Sequence, residues 1–131
     1  MRVDHIGIAV PSLREALDRW RPLLGEAETS PEEIPSQKVR VAFFRVGETD
    51  IEMLEPTTAD SAVGRFLDSR GAGIHHLAFG VPNVDEALSA VVGRGGKVVD
   101  RVGRPGARGR RVGFAHPSAF GGVLVEFVES P

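Results

Sequence analysis

The sequence predicts an α+β chain made of two copies of one βαβββ unit, and three observations carry that prediction. A run near the start recurs 71 positions later, the run that closes the first half recurs 74 positions later, and each half reads as strand, helix and three further strands. Asp4-His5-Ile6-Gly7-Ile8-Ala9-Val10-Pro11 lines up with His75-His76-Leu77-Ala78-Phe79-Gly80-Val81-Pro82. The match continues without a gap from Ser12–Leu17 against Asn83–Leu88 to Gly25 against Gly96. Ile51-Glu52-Met53-Leu54-Glu55-Pro56 then resembles Val125-Glu126-Phe127-Val128-Glu129-Ser130, so the second copy carries about three extra residues in its middle.

Each element has a local reason. Residues 3–10 and 75–81 are rich in apolar and β-branched types and read as strands. Ser12 and Asn83 are N-caps, with Glu15 and Glu86 three residues on in the manner of a capping box. Helices run to about Leu24 and Arg94, with Leu13, Leu17 and Trp20 at helical spacing, and end at Gly25 and Gly95-Gly96. Strand-like segments follow at about 27–34, 39–46 and 49–55, and in the second copy at about 97–102, 110–116 and 122–129. Gly47-Glu48-Thr49-Asp50 and Gly121-Gly122 mark the turns before the closing strands. Between the copies, Ala59–Arg70 reads as a short helix with Val63, Phe66 and Leu67 on its apolar face. The expected organisation is one domain over 1–131: module one at about 1–58, a linker helix at about 59–71 and module two at about 72–131.

Composition narrows the chemistry. The chain has 131 residues, 41% hydrophobic and 26% charged, as expected of a soluble globular domain. A net charge of −2 argues against nucleic acid or an anionic membrane as the main partner. No apolar run approaches the roughly 18 residues of a membrane span, and Met1-Arg2 leads straight into a strand, so a cytoplasmic protein is expected. There is no cysteine. Disulfides and a thiolate nucleophile are excluded, and any metal must be held by nitrogen and oxygen.

The repeat itself implies a site. A strand alternates faces, so His5, Gly7 and Ala9 share one face while Ile6, Ile8 and Val10 turn to the helix. The repeat puts His76, Ala78 and Gly80 in the same relation. Glu52 and Glu126 sit between apolar neighbours in the closing strands, where an unpaired carboxylate is costly to bury. Each unit thus supplies one histidine and one glutamate at matching places. A lone strand histidine is more often structural, and a glutamate there is more often at an edge. The recurrence of both residue types favours a divalent metal held by His5, Glu52, His76 and Glu126. His75 faces the other way and is expected not to ligate, while His116, before Pro117, either lines the pocket or caps a turn.

Four stretches carry a family resemblance across essentially the whole chain. They are Asp4–Pro11, Asp60–Val63 with Phe66-Leu67, Gly73–Ala78, and Gly109 to Glu126 with its Phe114-Ala115-His116-Pro117 and Gly121-Gly122-Val123-Leu124-Val125-Glu126. The chain resembles the vicinal oxygen chelate (glyoxalase/bleomycin resistance/dioxygenase) superfamily, and within it most closely the methylmalonyl-CoA epimerases. The resemblance implies two paired βαβββ modules forming an open, cupped, β-barrel-like sheet around one divalent ion (Co2+, Mn2+, Zn2+, Ni2+ or Mg2+). It implies ligands at His5, His76 and Glu126, with Glu52 at a fourth position where some members carry glutamine. The implied reaction is isomerisation: the C2 proton of methylmalonyl-CoA is removed and returned, interconverting the (R) and (S) epimers. Glu126 is the implied catalytic group, and a homodimer is what the resemblance implies.

Some members place a second acid–base glutamate on the third strand; the alignment puts Arg40 there, which stays protonated, so the second group is unassigned. Substrate contacts are expected from Gln37, Lys38, Arg108 and His116. The basic loop Arg104–Arg111 either meets coenzyme A phosphates or is a solvated hairpin. Competing functions are a glyoxalase I-type lactoylglutathione lyase and a non-catalytic, drug-sequestering binder; an extradiol dioxygenase, with two histidines and one carboxylate on iron, fits four candidate ligands poorly.

Overall fold

The computed structural model describes residues 1–130; Pro131, the last residue of the expected second module, lies outside the described residues. Eight strands and three α-helices follow in the order β1 (Arg2–Ala9), α1 (Leu13–Leu24), β2 (Glu32–Ile34), β3 (Val39–Val46), β4 (Thr49–Pro56), α2 (Ala62–Arg70), β5 (Gly73–Val81), α3 (Val84–Gly93), β6 (Arg104–Pro105), β7 (Arg111–Ala115) and β8 (Val125–Glu129). The class is α+β, with strands ordered β2-β3-β4-β1 in the first half and β5-β8-β7-β6 in the second. No helix among the described residues is long and apolar enough to cross a membrane.

The chain divides into two compact units, residues 5–75 and residues from 76 onward together with 1–4. In the first, β1 runs parallel to β4, and β3 pairs antiparallel with β4 and β2. Helix α1 lies on one face, where Val10, Leu13, Ala16, Ala42, Phe44 and Met53 form a core with Trp20 and Leu24 packed against it. In the second, β5 runs parallel to β8, and β7 pairs antiparallel with β8 and β6. Helix α3 covers a core that includes Val81, Val84, Leu88, Val91, Ala115 and Phe127. Burying a residue of this size contributes about 1.5–3 kcal/mol, so each core is ample to hold its helix on its strands.

The helix starts repeat as closely as the strands. Ser12 Oγ accepts from the Glu15 amide at 3.2 Å, and Asn83 Oδ1 from the Glu86 amide at 2.9 Å. The first amide of each helix finds its acceptor on a distant strand. Leu13 N–H donates to Glu55 Oε2 at 3.0 Å, and Val84 N–H donates to Glu129 Oε2 at 3.1 Å. Carboxylates there satisfy an orphan amide and oppose the positive end of the helix dipole. Asp85, in the first turn of α3, accepts from Gly103 N–H and Arg111 Nη2, each at 2.7 Å. The Gly103 amide first, and the Arg111 guanidinium after it, hold its carboxyl below the ordinary carboxylate range.

Two expected strands come out differently. The segment 27–34 is a strand only over Glu32–Ile34. The segment 97–102 is no strand: it makes a single bridge, Val98 to Ala115. Asp100 replaces a backbone acceptor there, its Oδ2 taking the Phe114 amide at 2.9 Å. A side chain that occupies the ladder donor removes the need for a continuous strand. The linker helix begins at Ala62, later than expected, because Ser61 caps it through Gly64 N–H at 3.0 Å.

Candidate metal centre

In residues 5–75, β1 and β4 place the first histidine and glutamate side by side. Gly7 lies opposite Glu52 in the parallel ladder, and His5 is two residues earlier on the same face. His5 Nε2 is 3.2 Å from Glu52 Oε1, and both side chains are buried. On β3, Phe43 is the partner of Glu52. Its ring meets the His5 ring edge-on, with centroids 6.1 Å apart and planes at 85°.

The second unit builds the same arrangement. Ala78 lies opposite Glu126, and His76 is two residues before Ala78. His76 Nε2 is 3.0 Å from Glu126 Oε1, again with both side chains buried. Phe114 of β7 pairs with Glu126, and its ring sits 5.5 Å from that of His76 at 84°. Phe43 and Phe114 are themselves 71 positions apart. The repeat thus copies an aromatic wall beside each His–Glu pair.

Each unit thus contributes one buried histidine and one buried glutamate, and His5, Glu52, His76 and Glu126 are residues of the kind that could hold a metal ion. Donors at ~2.1 Å from one ion stand roughly 3.0 Å apart at right angles and about 4.2 Å apart across it. The 3.2 and 3.0 Å separations within the pairs fit neighbouring positions on one ion. Two imidazoles and two carboxylates are the donor set of a first-row divalent metal, and four protein donors leave coordination positions for a further oxygen ligand. The residues present therefore fit a divalent cation.

The other expected site residues divide between the units. Gln37 and Lys38 form the turn between β2 and β3, their amides donating to Ile34 and Pro35 carbonyls at 3.1 and 3.2 Å. Lys38 adopts the left-handed region (φ 56°), and its Nζ lies 3.9 Å from Asp60 Oδ2. Arg108 occupies a one-turn 3-10 helix, Ala107–Gly109, also at positive φ (60°). Of the two uses expected for His116, the turn cap is the one seen: its Nδ1 accepts from Ser118 N–H at 3.1 Å and starts the Pro117–Phe120 turn. His75 turns away from His76 and stacks edge-on against Phe66, with centroids 4.9 Å apart.

Arg40 lies on β3, away from Glu52. The sequence alignment sets it on the third strand facing the closing one. Its Cα partner is Glu55, its Nη1 lies 3.4 Å from Glu55 Oε1, and its side chain is half-exposed. The β3 positions in phase with Phe43, and therefore on the Glu52 face, are the buried Val39 and Val41 and, toward the strand's end, Arg45, whose Nη1 lies 3.5 Å from Asp50 Oδ1. None of these is acidic, so β3 brings no second carboxylate to Glu52. Arg40, in alternate phase to Val39 and Val41, lies on the opposite face of β3.

Residues 4–114 match the family model of the Glyoxalase/Bleomycin resistance protein/Dioxygenase superfamily. The chain is 43% identical to the uncharacterized protein YqjC of Bacillus subtilis, over 98% of this chain and 91% of that one. It is 37% identical to the ethylmalonyl-CoA/methylmalonyl-CoA epimerase of Cereibacter sphaeroides, over 95% of each. Among solved structures, a Streptomyces coelicolor methylmalonyl-CoA epimerase variant in complex with 2-nitronate-propionyl-CoA aligns with a TM-score of 0.93 and 37% identity, covering 99% of this chain and 94% of that one. With this sequence likeness and the paired His–Glu strands in place, the chain belongs to the glyoxalase/bleomycin resistance protein/dioxygenase superfamily, among relatives that include methylmalonyl-CoA epimerases.

Proposed function

We propose that this protein is a methylmalonyl-CoA epimerase, an isomerase that takes the proton from C2 of the acyl group and returns it on the opposite face. The observation that carries the reading is the buried group of two histidines and two glutamates, in a chain whose relatives include enzymes named for this reaction. His5, Glu52, His76 and Glu126 would hold one divalent ion. When bound, the ion supplies Lewis-acid stabilisation of the negative charge that develops on the thioester oxygen.

The protein's own groups move the proton. Glu126 is the base for C2. Its carboxylate lies on β8 between apolar neighbours, with the Phe114 ring opposite, so little water competes for the proton. Because β3 offers Val39, Val41, Phe43 and Arg45 on the Glu52 face and no carboxylate, the return from the other side falls to Glu52, the remaining carboxylate of the group. The arginine-rich turn around Arg108, together with Gln37, Lys38 and His116, is proposed to meet the coenzyme A portion, where guanidinium groups suit phosphate oxygens. Edge strands invite pairing, and β2 and β6 end the sheet order, which supports a homodimer as the working form.

The decisive experiment follows deuterium incorporation at C2 of methylmalonyl-CoA in heavy water by proton NMR. Metal-loaded protein should exchange and epimerise, and chelator-stripped protein should do neither. Glu52→Gln should retain exchange from one epimer while losing interconversion. Absence of exchange with every divalent ion loaded would reject the epimerase reading and direct assays to glutathione hemithioacetals.

A further inference from the structure

The second unit carries a cation on the face that holds its histidine and glutamate. Arg104 of β6 is the ladder partner of Val112 on β7, and Val112 is in phase with Phe114, the partner of Glu126. Alternation along β7 therefore puts Arg104, Phe114 and Glu126 on one face. The guanidinium carbon of Arg104 lies 5.6 Å from the centroid of the Phe114 ring, and the His76 ring lies 5.5 Å from the same centroid. One aromatic ring thus meets the guanidinium in a cation–π contact and the imidazole in an edge-on pair.

Asp100 holds this arrangement. Its Oδ1 is 3.2 Å from Arg104 Nε, and its Oδ2 accepts the Phe114 amide at 2.9 Å. One carboxylate therefore fixes both the half-buried arginine and the residue that bears the ring. A guanidinium presents five donors in a plane, so a contact at Nε does not exhaust it.

The first unit shows that the fold does not ask for a cation at this place. Val41 stands 71 positions before Val112, and its β2 partner is Glu32. The duplication kept the histidine, the glutamate and the phenylalanine in both halves and reversed the charge on the flanking strand. Arg45, on the Glu52 face of the first unit, is committed to its own turn: Nε donates to the Gly47 carbonyl at 2.8 Å, and Nη1 lies 3.5 Å from the buried Asp50. A metal ion asks the same of both halves, but a substrate with a single free carboxylate does not.

We propose that Arg104 is a specificity-determining residue: it takes the free carboxylate of a 2-carboxyacyl thioester and so favours such substrates over plain acyl thioesters. The proposal rests on the epimerase reading and names the group that recognises the acyl part. The free carboxylate is bonded directly to C2, so it must lie beside the groups that handle the C2 proton, whereas the coenzyme A phosphates are a whole pantetheine arm away. Arg104 lies on the face of Glu126 and against the ring that meets His76, which suits the carboxylate rather than the phosphates. A planar guanidinium fixed by an aromatic ring and an acid matches a carboxylate with two parallel hydrogen bonds.

Calorimetric titration of the metal-loaded protein with racemic methylmalonyl-CoA and with propionyl-CoA, which lacks only the carboxylate, tests the assignment. The parent protein should bind methylmalonyl-CoA more tightly. Arg104→Gln should cut the ratio of the two affinities about 10–100-fold, the range of a hydrogen bond to a charged group, and leave propionyl-CoA unchanged. Arg104→Lys keeps the charge without the fork, should restore part of the preference, and carries the test if the glutamine variant folds poorly. Equal weakening of both thioesters would overturn the proposal, because Arg104 would then meet the coenzyme A portion. So would an unchanged ratio in Arg104→Gln, loss of the preference in Arg45→Gln instead, or a parent protein that binds the two thioesters alike. Deuterium exchange at C2 separates recognition from reaction. If the parent exchanges no C2 proton and Arg104→Gln still removes the preference, the epimerase reading fails and the recognition stands; if the parent exchanges and Arg104→Gln keeps the preference, the recognition alone fails.

Discussion

Glu52 and Glu55 lie three residues apart on β4, and Glu126 and Glu129 repeat that spacing on β8. Both pairs recur through the duplication, yet they do different work. Glu52 and Glu126 face histidines at 3.2 and 3.0 Å, whereas Glu55 and Glu129 accept the first amides of α1 and α3. An odd separation on a strand puts the two carboxylates on opposite faces, so one reaches the site and the other the helix. Recurrence of a polar residue therefore marks constraint but not its kind. What separates chemistry from scaffolding is the group each carboxylate meets.

That contrast can be broken most sharply at the carboxylates themselves. Glu126→Gln should lower C2 exchange by about 10²–10⁴-fold, the range of a positioned general base, while thermal stability changes little. A large fall in melting temperature instead would place Glu126 with the scaffold. Next in size, Trp20→Val gives the first unit the side chain that the second carries at Val91. It should cost about 2 kcal/mol in urea denaturation, because the core around Ala42, Phe44 and Met53 loses its cover. Glu55→Ala and Glu129→Ala should each cost about 1 kcal/mol, as lost helix caps do, with metal affinity by calorimetry unchanged. Changed metal affinity in either would erase the distinction between the two carboxylate pairs.

The smallest expected effect depends on pH. Asp85 is held below the ordinary carboxylate value by Gly103 and Arg111, so the folded state binds its proton less readily than the unfolded chain. Its contribution is present above the unfolded carboxylate range and is lost as pH falls through the depressed folded value. Asp85→Asn should therefore lower the melting temperature at pH 7 and narrow its gap to the parent protein in strong acid. An equal gap at both pH values would mean that the carboxylate's charge does not matter there.

Much of this was legible because duplication prints the same information twice. The strands of His5 and His76, the caps at Ser12 and Asn83, and the closing glutamates are all local patterns held to a fixed offset. The aromatic wall of Phe43 and Phe114 obeys the same 71-residue offset, so the signal for it was present and passed over in a segment that reads simply as an apolar strand. What escaped depends on partners distant in sequence. Arg110 Nη2 holds Asp4 at 2.7 Å and its Nε donates to the Glu129 carbonyl at 3.1 Å, joining the first residues of the chain to its last strand. No periodicity announces such a contact. The segment 97–102 has the apolar content of a strand, but Val99 and Val102 are exposed and Asp100 stands in the ladder, which only the fold reveals.

The three-residue spacing on β4 and β8 also bears on how the chain finds its native pairing. A slip of one residue in either strand would turn the histidine-facing glutamate toward the helix and the helix-capping one toward the histidine, so a buried acid and a half-buried one would lose their partners together. Misaligned pairing is thereby penalised twice, on both faces of the same strand. The pair of acids acts as a proofreading device, and since the duplication copied it whole, each half of the chain carries its own check on alignment.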